Sequence, residues 1–158
     1  MSRSLHEIFE TQADSEEWYS KLTSWGDQFI AEAKENEPLL NRFEYTDEKW
    51  EWKDYFRGNH RTFIIMNDDD NPCGYVIIRT DRYRSSRKTM NISEMFIEKE
   101  YRSQGIGSFV LEQLSSISKS EQHLALFVQH YASNVRASRF YNLNGFFDWA
   151  MTKAKFNK

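Results

Sequence analysis

The chain is poor in the residues that staple or punctuate a fold. It has one cysteine, two prolines and six glycines in 158 residues. A single cysteine, Cys73, excludes an intramolecular disulfide and a cysteine-ligated metal cluster. Cys73 opens the apolar run CGYVIIR, where a buried thiol is the expected state rather than a nucleophile. With only Pro38 and Pro72, and with no low-complexity stretch or internal repeat, there is no visible linker. One domain over residues 1–158 is the expectation. No apolar run approaches the length of a bilayer span, and the start MSRSLHEIFE has no signal-peptide core. A cytoplasmic protein without membrane association is expected. The net charge of −3 and the pI near 5.8 are not the basic field of a dedicated nucleic-acid binder.

What is present is a core-forming composition, 39% hydrophobic with aromatics at 16%. Charge is unevenly spread. Residues 1–58 hold 14 acidic and 7 basic side chains, whereas residues 59–158 hold 10 acidic and 14 basic. Such a split suits an anionic cofactor on one side and a cationic substrate on the other, and it equally suits two differently decorated solvated surfaces. The turn RTDRYRSSRK (79–88) carries five positive charges and one negative. It reads as a solvated hairpin tip, with contact to RNA or an acidic partner as the alternative.

Period and turn signals give the element order. A strand over 5–10 opens the chain. A helix follows from Asp14, with Glu17 three positions on and Trp18, Leu22, Trp25, Phe29 and Ile30 at near-helical spacing. Asp47 reads as the cap of a second helix over EKWEWKDYF, ending before Gly58. The runs 61–67, 74–80 and 90–97 then read as three antiparallel strands in two hairpins. A helix to about Ser118, a strand over 124–128, a helix closed by Gly145 and a last strand from Phe146 complete an α/β (α+β) chain with a mixed, mostly antiparallel sheet.

At the junction of the strand ISEMFI (92–97) and the next helix stands YRSQGIGS (101–108). A strand that runs through R-x-x-G-x-G into a helix presents backbone N–H groups at the positive end of the helix dipole, and its glycines let an anion come close. A phosphate or pyrophosphate is the natural guest, and a plain tight turn is the alternative. The P-loop is excluded because Ser108-Phe109 stands where Lys-Ser/Thr is needed. The dinucleotide fingerprint is excluded because residue 110 is valine and the preceding strands form hairpins.

Together with NVRASRFYNLNGF (134–146), the segment FIEKEYRSQGIGS closely resembles the GCN5-related N-acetyltransferase (GNAT) superfamily, whose members transfer an acetyl group from acetyl-CoA to an amine. The motifs cover residues 90–147, and the element order of residues 1–89 fits without motif support. The resemblance implies the GNAT fold and a set of roles. Met95, Phe96 and Ile97 would lie beside the pantetheine arm. Arg102 opens the loop in which Ser103, Gln104, Gly105, Ile106, Gly107 and Ser108 would cradle the pyrophosphate through main-chain N–H groups. Asn134 would bond near the pantetheine end, and Tyr141 would stand next to the coenzyme sulfur. Dimers are common in the family, so a homodimer is a further expectation.

Acetyl transfer requires a neutral amine, a stabilised oxyanion and a proton for the leaving thiolate. An alkyl amine with a pKa near 10.4 is about three units from neutral at pH 7, so a general base is needed. Strand N–H groups near Met95 to Ile97 can meet the oxyanion, and Tyr141 is the expected acid, its pKa taken as close enough to a thiol's for easy transfer. Its bland alternative is an aromatic plug on a helix face. Glu94 is the first choice for the base. Simple alternation puts it on one face with Ile92 and Phe96, where apolar neighbours would favour the protonated form. Some GNAT relatives carry a glutamate one position earlier, where this chain has Ser93, and a one-residue shift reverses the face unless a bulge intervenes. A surface glutamate is the alternative. Val128 and Asn134 are six positions apart, which leaves His130 either in a loop or at the amine pocket.

For the acceptor, Trp18, Tyr19, Trp25, Trp50, Trp52 and Tyr55 stand among Asp14, Glu16, Glu17, Glu48, Glu51 and Asp54 in the region that usually walls the acceptor site of this superfamily. Aromatics with carboxylates suit a cationic amine, and core aromatics with solvated acids are the alternative. The expected activity is acetyl-CoA-dependent N-acetylation of a small cationic amine. A peptide or protein amine acceptor, or a non-catalytic acyl-CoA-binding module, stays open.

Overall fold

A computed structural model describes residues 2–37, 52–56, 58–84 and 86–156. Five strands form one sheet in the order β1 (Ser4–Ile8), β2 (His60–Met66), β3 (Pro72–Tyr83), β4 (Arg87–Ile97) and β5 (Leu126–Val128). The first four pair antiparallel, and β5 lies parallel to β4. The parallel pair needs a crossover, supplied by helix α3 (Ile106–Ser120). The mixed, mostly antiparallel sheet is therefore as expected.

Alternation along the strands sorts side chains to two faces. Phe63, Ile65, Val76, Ile78, Met90 and Ile92 pack against Ile106, Val110, Leu111 and Leu114 of α3. These helix positions recur at i, i+4, i+5 and i+8, one stripe of a helical wheel. Ile64, Met66, Tyr75, Ile77 and Phe96 face the other way, onto Leu22 and Trp25 of helix α2 (Glu16–Asn36) and onto Trp52. A last helix, α4 (Val135–Leu143), carries Phe140 and Tyr141 against the α3 face.

Several local expectations shift. Asp14 does not start the long helix. It closes a four-residue helix α1 (Glu10–Ala13), and Ser15 caps α2. Residues 52–56 form a 3-10 turn rather than the end of an α-helix, and the start proposed at Asp47 lies outside the described residues, as does Pro38. Strand β5 is three residues long, shorter than 124–128.

The strand expected from Phe146 is absent. Phe147, Trp149 and Met151 alternate along this stretch and are 75%, 60% and 82% exposed. Alternation specifies a face, but a strand also needs a ladder partner, and no described strand pairs with this segment. Cys73 is buried, and its Sγ donates to Ile65 O at 3.4 Å.

Candidate active site

Beyond Ile92 the sheet opens. Parallel pairing of β4 with β5 covers only Met90 to Ile92 against Leu126 to Val128, and no residue of β5 is registered against Ser93 to Ile97. The free edge of β4 carries Met95, Phe96 and Ile97, then leads through a 3-10 turn (Lys99–Tyr101) into the loop Arg102–Gly105. Ser103 and Gly105 both have left-handed backbones, with φ of 61° and 78°. Gly105 is the N-cap of α3, a position where a Cβ is costly. The first helical N–H acceptor is Gly105 O, taken by Phe109 N at 3.1 Å. The N–H groups of the turn before it have no intrahelical partner, and the turn contains no acidic residue. Backbone of this geometry can accommodate an anion.

The second glycine has a different reason. A Cβ on Gly107 would lie 2.9 Å from the ring of Phe140, so Gly107 lets α4 close onto α3. Both glycines were expected to admit a ligand; Gly105 is also required by its left-handed φ, and Gly107 by the packing of Phe140. Ile106 is buried in the α3 face, and Ser108 is exposed on the first turn.

Two further residues named by the resemblance, Arg102 and Asn134, have structural partners of their own. Arg102 donates from Nε to Ile97 O at 2.6 Å and from Nη2 to both Glu32 oxygens at 2.9 and 3.0 Å, with its guanidinium 5.4 Å from the Phe96 ring centroid. Its charge is committed to α2, so it braces the loop. Arg3 braces the other side, donating to Gln104 O at 2.7 Å and to Asp68 at 3.1 Å, while Gln104 Nε2 donates to Glu100 O. Asn134 caps α4, its Oδ1 accepting from Ala137 N at 3.0 Å.

The position of Glu94 depends on one extra residue in β4. Ile77 pairs with Glu94 but Ile78 pairs with Ile92, which leaves Ser93 as a bulge. The bulge reverses the parity of the strand. Ile92 therefore joins the α3 face, whereas Phe96 joins the α2 face. The expected grouping of Ile92, Glu94 and Phe96 on one face is thus incorrect, because alternation was carried through the bulge. Glu94 is not flanked by bare apolar surface either. It accepts from Tyr55 Oη at 2.9 Å and from Tyr75 Oη at 3.0 Å. Neither tyrosine was legible as its partner, because both bonds depend on sheet register.

Tyr141 sits within an aromatic group, edge-on to Phe140 at 5.1 Å and to Phe146 at 5.5 Å. Burial pushes its phenol up to about 12. The expected close match to a thiol, ordinarily near 8.5, does not follow. His130 lies in the loop after β5, exposed, with its ring stacked on Tyr141 at 6.1 Å and 9°. It is a loop residue, and it also covers one face of the candidate acid.

Of the aromatics expected to wall an acceptor site, Trp25 and Trp52 are core, 2% and 3% exposed, and Trp25 Nε1 donates to Glu98 at 2.5 Å. Trp18 is partly buried against the same cluster, and Tyr19 is half exposed. Glu48, Trp50, Glu51 and the Asp54 side chain lie outside what is described.

Sequence comparison adds an independent finding. The sequence model of the Acetyltransferase (GNAT) family matches residues 27–146. The chain belongs to the GNAT acetyltransferase family. This match begins within α2, well ahead of the two motifs. No curated protein sequence matches the chain significantly. Solved GNAT-like structures match over nearly its whole length. The tetramutant of BH1408 from Bacillus halodurans is 22% identical with a TM-score of 0.75, covering 98% of this chain and 99% of that one. The aminoglycoside acetyltransferase meta-AAC0020 from an uncultured soil metagenomic sample, in complex with sisomicin, is 13% identical with a TM-score of 0.66, covering 99% and 95%. AAC(6')-Iy in complex with a bisubstrate analogue, CoA-S-monomethyl-acetylneamine, is 11% identical with a TM-score of 0.66, covering 100% and 99%. At these identities the neighbours establish the fold. Among the described residues, no helix is long and apolar enough to cross a membrane.

Proposed function

We propose that this GNAT protein transfers an acetyl group from acetyl-CoA to a primary amine of a small cationic molecule, by direct attack in a ternary complex. The observation that carries the reading is the open β4 edge from Ser93 to Ile97 leading directly into the left-handed turn and free N-terminus of α3. The chain's residues fit the coenzyme, because the cradle offers unpaired N–H groups, a left-handed glycine and no competing carboxylate in its first turn. Acetyl-CoA supplies the activated acyl group.

Ser103 to Ser108 hold the diphosphate through the main chain, and the open edge at Met95 to Ile97 orients the pantetheine arm and offers an N–H to the carbonyl oxygen. Asn134 acts by fixing the start of the helix that carries Tyr141. Glu94 takes the proton that the amine must lose, an equilibrium cost of about 4–5 kcal/mol at pH 7 for an alkyl ammonium. Tyr141 stays protonated throughout the neutral range. Full transfer from a phenol near 12 to a thiolate near 8.5 would be uphill by about 5 kcal/mol. Tyr141 therefore serves the departing sulfur as a hydrogen-bond donor. A cationic acceptor is supported by the carboxylate at Glu94 and by the aminoglycosides named for two of the structural neighbours.

Calorimetry with CoA and acetyl-CoA, followed by thiol-release assays with sisomicin, spermidine and a lysine-containing peptide, tests the reading. Binding of both coenzyme forms and faster turnover with sisomicin or spermidine than with the peptide are expected. Absence of coenzyme binding overturns the cradle. Turnover confined to the peptide overturns the small acceptor, and tight binding without turnover on any amine identifies a non-catalytic acyl-CoA module.

A further inference from the structure

The Glu94 carboxylate is gripped from two directions by side chains that come from distant parts of the chain. Tyr75 stands on β3, opposite Phe96 in the register, while Glu94 is opposite Ile77. Glu94 is therefore the diagonal neighbour of Tyr75 on the same face, within reach of a long aromatic side chain. The Tyr75 ring is fully buried, edge-on to Trp52 at 4.9 Å and stacked with Trp25 and Phe96 at 6.3 and 6.0 Å. Such packing fixes the direction of its hydroxyl. Tyr55 comes from the 3-10 turn and is set by Trp52 at 6.2 Å and His60 at 5.9 Å, both edge-on. The two hydroxyls reach different oxygens, Tyr55 to Oε1 and Tyr75 to Oε2.

We propose that Tyr55 and Tyr75 are positioning residues that lock the Glu94 carboxylate in one orientation and favour its ionised form. The proposal rests on the reading of Glu94 as the proton acceptor and adds what makes it fit for that task. A free glutamate side chain samples many rotamers, and immobilising it costs conformational entropy when the substrate arrives. Two phenols from a rigid core meet that cost during folding. Hydrogen bonds donated to a carboxylate stabilise its charge and make it ready to receive a proton. They also offset the desolvation that the surrounding aromatic cluster imposes. Among the described residues, other ionisable groups in contact with this cluster are His60 against Tyr55, Glu98 on Trp25, and Arg102 over Phe96 with its partner Glu32. Glu98 is held by the Trp25 indole, and Arg102 and Glu32 neutralise each other.

The bulge at Ser93 is what makes the clamp available. Without it Glu94 would lie on the same side as Ile92, against α3 and away from both tyrosines.

The test uses the whole protein with 13C-labelled glutamate. The Glu94 carboxyl resonance, assigned by its loss in Glu94→Gln, is followed from pH 3 to pH 8 in the parent, Tyr55→Phe and Tyr75→Phe. Each phenylalanine variant is expected to titrate at higher pH than the parent. An unchanged titration in both overturns the proposal, whether or not any amine is acetylated. With acetyl-CoA and the best of sisomicin and spermidine, each variant is expected to lose about tenfold or more in kcat, with coenzyme affinity held within twofold. The acidic limb of kcat should move with the resonance. A resonance that moves while the limb stays fixed supports the clamp and removes Glu94 from the proton path, so the two failures are told apart.

Discussion

Two sites on β4, its C-terminal end and Glu94 three residues earlier, are built by different rules. At the C-terminal end of β4, the loop and the start of α3 are made by neighbours in sequence, and the polar groups they offer are main-chain N–H. At Glu94, the chemistry is assembled from residues 19 and 39 positions away. The braces between α2 and the strand end span 70 and 73 positions. A backbone site needs only the right local φ values and a helix to follow. A side-chain site needs register, strand parity and helix packing all to be correct at once. The first is therefore robust to sequence drift, and the second, which the proposed reaction uses for proton transfer, is not.

The largest expected effect breaks the comparison at its side-chain end. Glu94→Gln should lower kcat by about 100-fold or more while coenzyme affinity by calorimetry stays at the parent value. A parallel loss of coenzyme binding would show that the two sites are not separable. Next is Tyr141→Phe, which keeps the ring among Phe140, Phe146 and His130. Loss of one hydrogen bond to a charged group, worth about 1.5–3 kcal/mol, predicts a fall in kcat of about 10- to 100-fold with KM for acetyl-CoA little changed.

The backbone end is sharpened by Ser108→Asp. The residue is exposed in the first turn of α3, where an added carboxylate stabilises the helix by about 0.3–1 kcal/mol. The same charge repels a diphosphate and should weaken coenzyme binding about tenfold. A thermal melt that holds or rises while affinity falls would confirm an anion site, whereas unchanged affinity would refute it. Arg102→Ala tests the brace between the loop and α2. Its ion pair with Glu32 is partly exposed, so the predicted loss of stability is about 1 kcal/mol. KM for acetyl-CoA should rise several-fold more than kcat falls, since the loop loses its bond to Ile97 O.

The smallest effect is in alkaline stability. Burial raises the Cys73 thiol to about 11 and the Tyr141 phenol to about 12. Both groups are favoured neutral in the folded state, so their contribution is complete below the unfolded values near 9 and 10. It is lost as pH rises through the folded ones. Urea midpoints should fall between pH 9 and 12, and Tyr141→Phe should flatten the upper part of that decline.

Much of the cradle was legible because its signals are local. R-x-x-G-x-G between an apolar strand and an amphipathic helix names its own geometry, and the end of that helix, expected near Ser118, falls at Ser120. The reasons for individual residues were less legible. Gly107 faces Phe140, and Arg102 faces Glu32, contacts with no trace in sequence spacing. Glu94 was singled out although its face was assigned by uninterrupted alternation. One unpaired residue, Ser93, inverts that assignment. The strand expected from Phe146 failed for the complementary reason, since its pattern was present and its ladder partner was not.

By itself the sequence determined the class of the sheet, the glycine turn that opens α3 and the ionisable residues the chain offers beside it, because these follow from composition, period and local backbone freedom. Only the tertiary structure decided which of those residues meet. The bulge in β4 turns Glu94 toward Tyr55 and Tyr75, and the packing of α4 on α3 places Tyr141 in its aromatic pocket. Register and parity accumulate along a strand, so one inserted residue changes every later contact without changing the local pattern on either side of it.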